Sequence, residues 1–454
     1  MGARALFGRR VIYTDVAEIN AGNIIDVLQK ALFVHLQNSA DIDYLYRYYR
    51  GDQPVLYREK EVRPEICNKV VENRANEIVS FKVGYLMGEP VQYVSRSDDE
   101  NISAEVSRLN DYVLSEDKPA KDKELADWSH IGGTSYRMVL PDGEADVEED
   151  EAPFEIFTLD PRFAFVVYST ALGNPAMMGV KYVKDENGNL IFSCYTRDHY
   201  YEVENTWAII RSEPQILGIP IIEYPANKAR LGAFEIVLPL LDAINTEDFR
   251  QLRDEGAIKY KDIDPQFKAE IEYLTSEMNQ TQTQTLVDSM YNTVLTICGM
   301  PNRNGGSSTS DTGSAVIMRD GWSAAEARAK DSELMFKQSE KDFLKLVLRI
   351  CRDLSDLTLK LSGLEIRFTR RNYENITEKA NVLTAMLANP KIAPVLAFTH
   401  CGLFSDPQLA YRMSMDYAEE QEKKAAELAT KQKEVNPDGG NKGAETDPGS
   451  GQQD

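Results

Sequence analysis

Four histidines, five cysteines and one glycine-rich polar loop are the groups in this 454-residue chain that could do chemistry, and none has the spacing its chemistry requires. His35, His130, His199 and His400 lie far apart, with no HExxH and no His/Cys ligand pair, so zinc or iron has no local ligand set. Cys67, Cys194, Cys298, Cys351 and Cys401 show no CxxC spacing, which predicts free thiols in a reducing, intracellular setting. The loop reads MPNRNGGSSTSDTG; Gly306 and Gly313 are separated by six residues and no Lys-Ser/Thr follows, so it is not a nucleotide-binding P-loop. No GxSxG nucleophile elbow occurs. Asp185, Asn187 and Asn189 offer oxygens at alternate positions, but Gly188 comes too early for a calcium loop and no closing Glu follows, so a hairpin turn is predicted there. The segment PDGEADVEEDEAP carries seven acidic residues and no base. It reads as a solvated loop, with a carboxylate-based metal hydrolase using Glu144 to Glu151 as the enzymatic alternative. The expectation is a protein without catalytic residues, metal or cofactor.

What remains for the loop is mechanical. Asn302, Arg303, Asn304, Gly305, Gly306, Ser307, Ser308, Thr309, Ser310, Asp311 and Thr312 have little to bury and much conformational freedom. They form either a mobile polar finger or a plain connector. Arg303 is the base best placed to meet a phosphate, and Asp311 offsets it.

The element that must position this loop is the long helical pattern after it. Phe336, Phe343, Val347, Ile350, Leu354, Leu357 and Leu361 recur at steps of three, four or seven, and the opposite face is charged. Ser323 with Glu326 fits a capping box, which starts the main rod at Ser323. A helix from there to Leu361 would be about 58 Å long, more than one compact domain needs. Ser314 to Asp320 reads as a shorter helix, with Gly321 marking a kink or a break.

The rest of the chain is read the same way. Asn23 to Leu36 and Ser39 to Tyr49 are helical patterns; a further helix is expected from about Pro64. Phe154 to Pro225 alternates short apolar runs with turn signals, which predicts a β-meander. Gly232 to Asn245 is an apolar helix whose start Pro239 resets or kinks. Thr281 to Cys298 is a second helix, with Leu286, Met290, Val294 and Ile297 on one face. Leu364 to Thr369 is a strand leading into small helices broken at Pro390 and Pro394, and Asn436 to Asp454 is expected to be disordered. With 42% hydrophobic residues the chain can build real cores, and no run of about 18 apolar residues is present, so a soluble protein without membrane spans is expected. Its net charge of −22, from 73 acidic and 51 basic residues, disfavours sequence-specific nucleic-acid binding and binding to acidic membranes.

Tyr49, Arg50, Gly51, then Asn68 and Lys69, then a helix closing on Gly84, Tyr85, Leu86, Gly88, Pro90 and Val91, resemble the N-terminal part of SPP1-type portal proteins of tailed bacteriophages. The resemblance continues through Gly132, Gly133 and Tyr136, FTLDPRFAFVVYS, GVKYVKDENGNLIFSCYT and GIPIIEYPANKARLGAFEIVLPLLDAIN, covering most of Tyr44 to about Arg371. It implies an α+β, multidomain portal-type subunit. In that scheme 1–231 is the wing with its β-meander, 232–300 the stem and clip, 301–313 the tunnel loop, 314–361 the long wing helix, 362–430 a crown-like helical domain and 431–454 a disordered tail. Resembling proteins extend the first stem helix by several turns, whereas FRQLRDEGAIKYKD follows Asn245 after only three residues. A shortened stem is therefore expected, with two stem segments that do not pair as a full antiparallel hairpin.

By resemblance the chain would form a homo-oligomeric ring, a dodecamer, at one capsid vertex of the virion, assembled in the host bacterial cytoplasm. It would conduct double-stranded DNA without sequence specificity through a channel lined by the tunnel loop. Its partners would be the terminase large subunit, scaffolding and major capsid proteins and a head-tail adaptor, with no membrane. An acidic wall suits passage, because each Lys or Arg that neutralises a phosphate releases counterions and tightens the grip on DNA. The alternative is an assembly protein of the same fold with a truncated, non-conducting stem.

Overall fold

The structure is a computed structural model that describes residues 6–59, 69–96, 99–145, 151–251, 256–260, 271–275, 280–302, 321–370, 376–404 and 407–435. The chain divides into two compact units, Met1–Tyr373 and Glu374–Asp454.

In the larger unit, strand β1 (Ile12–Thr14) precedes helix α1 (Ile24–Tyr49), and α2 (Arg74–Leu86) leads to β2 (Gln92–Ser95). Helices α3 (Glu100–Ser115) and α4 (Lys118–Gly132) follow. Strands β3 (Thr134–Pro141), β4 (Phe154–Leu159), β5 (Ala164–Ser169), β6 (Ala176–Lys184) and β7 (Leu190–Thr196) come next. β8 (His199–Glu204), β9 (Ile209–Pro214) and β10 (Ile221–Pro225) complete this run. Helix α5 (Leu238–Gln251), hairpin β11–β12 (Gly256–Tyr260, Ile271–Thr275) and α6 (Gln280–Cys298) lead to the long α7 (Trp322–Leu354) and to β13 (Leu364–Arg367).

Three cores result. Apolar residues of α1 pack on the six-stranded sheet β1-β5-β6-β7-β8-β9. A second core joins α3, α4, α7 and the sheet β10-β3-β4. The third lies among α1, α2, α4, α5 and α6.

The predicted meander is therefore β5 to β9. Its first and last strands, β4 and β10, peel away to flank β3 in a separate sheet, because Phe154, Ile156 and Ile222 bury against α7 rather than against α1. The turn at Asp185 forms as expected: Gly188 N donates to Asp185 O at 3.0 Å and Asn189 N to Asp185 Oδ1 at 2.7 Å. The two N-terminal helical patterns are one 26-residue helix, α1. Helix α2 starts at Arg74 rather than near Pro64, since residues 69–73 are non-helical and the Asn73 side chain accepts from Asn76 N to cap it. Pro239 sits in the first turn of α5, after a short 3-10 turn at Glu235–Val237, so it resets the start. The predicted face of α6 is displaced. Val287, Val294, Leu295 and Cys298 are buried, whereas Leu286 and Ile297 are exposed.

Helix α7 is shorter than its periodicity suggests. It begins at Trp322 behind Gly321, which has φ +82, and Ser323 makes no cap. It ends at Leu354, where Ser355 turns extended, so Leu357 and Leu361 belong to the following chain. Its charged side also enters the core. Glu340 is fully buried and takes Lys118 Nζ at 2.8 Å, Arg137 Nη1 at 3.4 Å and the Tyr224 hydroxyl at 2.7 Å, with Tyr93 donating as well. Asp122 completes the group, pairing with Lys118 at 2.6 Å and with Arg137. One side chain thus ties α7 to α4, β2, β3 and β10.

Strand β13 pairs antiparallel with β2, Leu364 opposite Ser95, so the chain as far as Tyr373 is part of the larger unit. The smaller unit holds α8 (Ile376–Leu387), α9 (Pro394–Cys401) and α10 (Pro407–Val435). Residues 436–454, expected to be disordered, lie outside the described residues.

Candidate functional site at the root of the polar loop

Of the loop residues, Asn302 is described; Arg303 to Thr312, like the short helix expected at Ser314 to Asp320, lie outside the described residues. The root is well defined. Helix α6 ends at Cys298, Gly299 turns with φ +66, and Met300 N closes on Leu295 O at 2.8 Å. Met300 and Pro301 are buried, and Asn302 Nδ2 reaches Asn292 Oδ1 at 3.1 Å. The chain returns at Gly321 beside the point it left: a methyl placed on Gly321 would lie 3.8 Å from Pro301 Cα and 3.9 Å from Met300 O. Its positive φ is a conformation other residues adopt only with strain. The departing and returning strands of the loop are thus held side by side at the head of α7.

The residues that fasten this head come from the motif at the end of α2. The rings of Phe81, Tyr85 and Trp322 cluster with centroids about 6 Å apart. Tyr85 donates its hydroxyl to Glu326 Oε2 at 2.8 Å, and Arg370 bridges Glu326 at 2.9 Å and Glu333 at 2.7 Å. Glu326 thus does not close a capping box; it anchors Tyr85 and Arg370. Gly88 is required by a close approach, since a Cβ there would stand 2.5 Å from Gly84 O. Gly88→Ala is expected to cost about 1–3 kcal/mol of stability, as overpacking against backbone does. An unchanged urea midpoint would show that the turn relaxes freely. Pro90 leads into β2, and nothing in the structure explains Gly84.

The other half of the motif makes a second joint. Gly51 N donates to Tyr48 O at 3.0 Å to end α1, and the Arg50 guanidinium lies 5.6 Å from the Tyr46 ring centroid. Tyr49 O accepts from Asn73 Nδ2 at 2.9 Å, Asn73 Oδ1 takes Gln53 Nε2 at 3.2 Å, and Gln53 Oε1 takes Asn245 Nδ2 at 2.5 Å. Tyr48 reaches Asp242 at 2.9 Å, so the turn after α1 is bonded to both α2 and α5. Gln53, Asn73, Asp242 and Asn245 escape a reading of motifs, because isolated amides and a helix aspartate carry no spacing signal. Lys69 is exposed, and Asn68 lies outside the described residues.

Histidines do not gather here. His35 and His130 are buried apart and His199 and His400 are exposed; among the described residues no group of three or more His, Cys, Asp or Glu could hold a metal ion. Cys194, Cys298, Cys351 and Cys401 are buried free thiols, and burial pushes Cys298 up to about 11. Among the described residues no helix is long and apolar enough to cross a membrane.

Fold and site together define a mixed α+β scaffold that holds both ends of a polar loop on one long helix. The chain belongs to the SPP1 Gp6-like phage portal protein family, whose model matches residues 32–247 and 245–434. No curated protein matches it.

Proposed function

We propose that the chain is a portal subunit that closes into a ring, a dodecamer, at one capsid vertex and passes double-stranded DNA through its axial channel. The reading rests on a family match through almost the whole chain, together with the paired ends of the loop at the head of α7. In this reading residues 302–312 line the channel, with Arg303 as the phosphate contact. The subunit works without catalysis: the terminase motor supplies the ATPase, scaffolding and capsid proteins meet the ring during assembly, and a head-tail adaptor binds it afterwards. In this reading the stem is short, its helices having 14 and 19 residues around the β11–β12 hairpin.

Negative-stain images of the purified protein are expected to show closed rings with an axial hole; monomers or dimers at high concentration would refute the reading. Deleting 303–312 is expected to leave rings intact and the thermal midpoint within about 2 °C, because the loop ends already lie together. The same deletion is expected to reduce the yield of DNA-filled heads sharply. Undiminished packaging would remove the loop from the channel.

A further inference from the structure

Between the meander and the outer side of α7 runs an open groove of about 710 Å³, lined by Tyr13, Arg197, Leu217, Arg230, Lys345 and Arg349 among others. Its charge is opposite to that of the chain. Of the acids in its lining, Glu223 is paired with Arg230 at 2.7 Å and Asp342 with Lys345 at 2.7 Å. Two guanidinium groups are left over. Arg349 donates to Leu217 O at 2.9 Å and has no carboxylate partner among the described residues, and Arg197 is exposed without one. In a protein of net charge −22 such a cationic groove stands out. Its rim is apolar: Leu172 and Ile216, next in sequence to the lining residues Gly173 and Leu217, are 105% and 94% exposed. Full exposure of two aliphatic side chains beside an uncompensated basic groove is the composition of a docking surface.

We propose that this groove seats the acidic segment 142–151 of a neighbouring copy of the chain. That segment, DGEADVEEDE, supplies seven carboxylates and no base, and its alanine and valine offer apolar contacts for the rim. A loop of one copy entering a groove of the next is a heterologous contact, the kind that repeats into a closed ring. The inference deepens the ring-forming reading and rests on it: it names the surfaces through which one subunit meets the next.

The test uses the full chain. Wild type is imaged first; Arg197→Glu with Arg349→Glu is then expected to abolish rings and leave monomer, with the thermal midpoint unchanged because both residues are exposed. Adding Glu148→Lys, Glu149→Lys and Glu151→Lys to that variant is expected to restore rings. As a direct readout, Arg197→Cys with Glu149→Cys under mild oxidation is expected to give a ladder of covalent oligomers on denaturing gels. Rings in wild type that persist in the charge-reversed variant overturn this inference alone. So does a purely intrachain disulfide, which would mean that the groove holds the chain's own loop, or the absence of any new disulfide. Wild type that never forms rings overturns both this inference and the ring reading.

Discussion

Glu340→Gln is expected to destabilise the protein by about 3–5 kcal/mol, the usual cost of removing one partner from a buried ion group. The carboxylate has no exposed side chain and four donors converge on it: Lys118, Arg137, Tyr93 and Tyr224. Burial by itself would raise its pKa, but Lys118 and Arg137 together with the Tyr93 hydrogen bond outweigh that and hold it below the ordinary carboxylate range. Glutamine keeps the volume and removes the charge, so Asp122 alone must balance two buried cations. Urea unfolding checks this, and a loss below about 1 kcal/mol would mean that water or a shifted Asp122 compensates. Removing the whole group should behave differently. Lys118→Met, Asp122→Leu, Arg137→Met and Glu340→Leu, with Tyr93→Phe and Tyr224→Phe, are expected together to be near neutral or stabilising, because no buried charge is stranded. The consequence for assembly is that α7 would lose its fixed angle to β3 and β10, so Glu340→Gln should also weaken any ring that uses the outer face of α7.

How far the sequence reveals this arrangement depends on the kind of interaction. Apolar spacing places α1, α6 and α7 within a few residues, since periodicity follows directly from which face is buried. It carries α7 past its C-terminal end, because after Ser355 turns extended the chain still buries Leu357, which follows Leu354 at a helical step. It gives no hint of Glu340. A glutamate among Lys337, Lys341 and Lys345 reads as solvated, and Lys118 and Asp122 read as an ordinary surface pair four residues apart. Only the crossing of α4 and β3 over α7 converts them to core. The loop is visible in sequence by composition alone. What composition cannot supply is the meeting of its two ends, which depends on Gly321 standing beside Pro301, or the reason for Tyr85, which depends on Trp322 and Glu326 from more than two hundred residues away.

Acid sensitivity is expected to begin near pH 6.5, well before the carboxylates titrate, and its source is two buried histidines. His35 stacks on Phe165 at 4.5 Å and its Nε2 reaches Arg162 O at 3.1 Å; His130 Nδ1 reaches Ala126 O at 2.8 Å. Carbonyl oxygens accept only, so these nitrogens carry the protons of the neutral rings. Burial lowers both to about 4, against a weaker upward pull from the same carbonyls; Lys82 adds to the lowering at His130. Between pH 6.5 and 4 the unfolded chain binds protons that the folded chain does not, so stability falls as pH falls, by up to about 1.4 kcal/mol per unit for each ring. Across that window each contributes a loss of about 3 kcal/mol, and the two together rival the whole stability of a typical domain. The lowered carboxyls Glu340 and Glu223 add their loss only from the ordinary carboxylate range downward, where the unfolded chain begins to protonate and the ion pairs still hold the folded one charged. His35→Gln with His130→Asn keeps a donor near each carbonyl and cannot take up a proton. Urea midpoints measured from pH 7 to 3 are therefore expected to fall steeply between pH 6.5 and 4.5 for wild type and much less for the double variant. Parallel slopes in the two proteins would place the acid sensitivity elsewhere, and a steep fall confined to pH below 4.5 would assign it to the carboxylates tied to Lys118, Arg137 and Arg230.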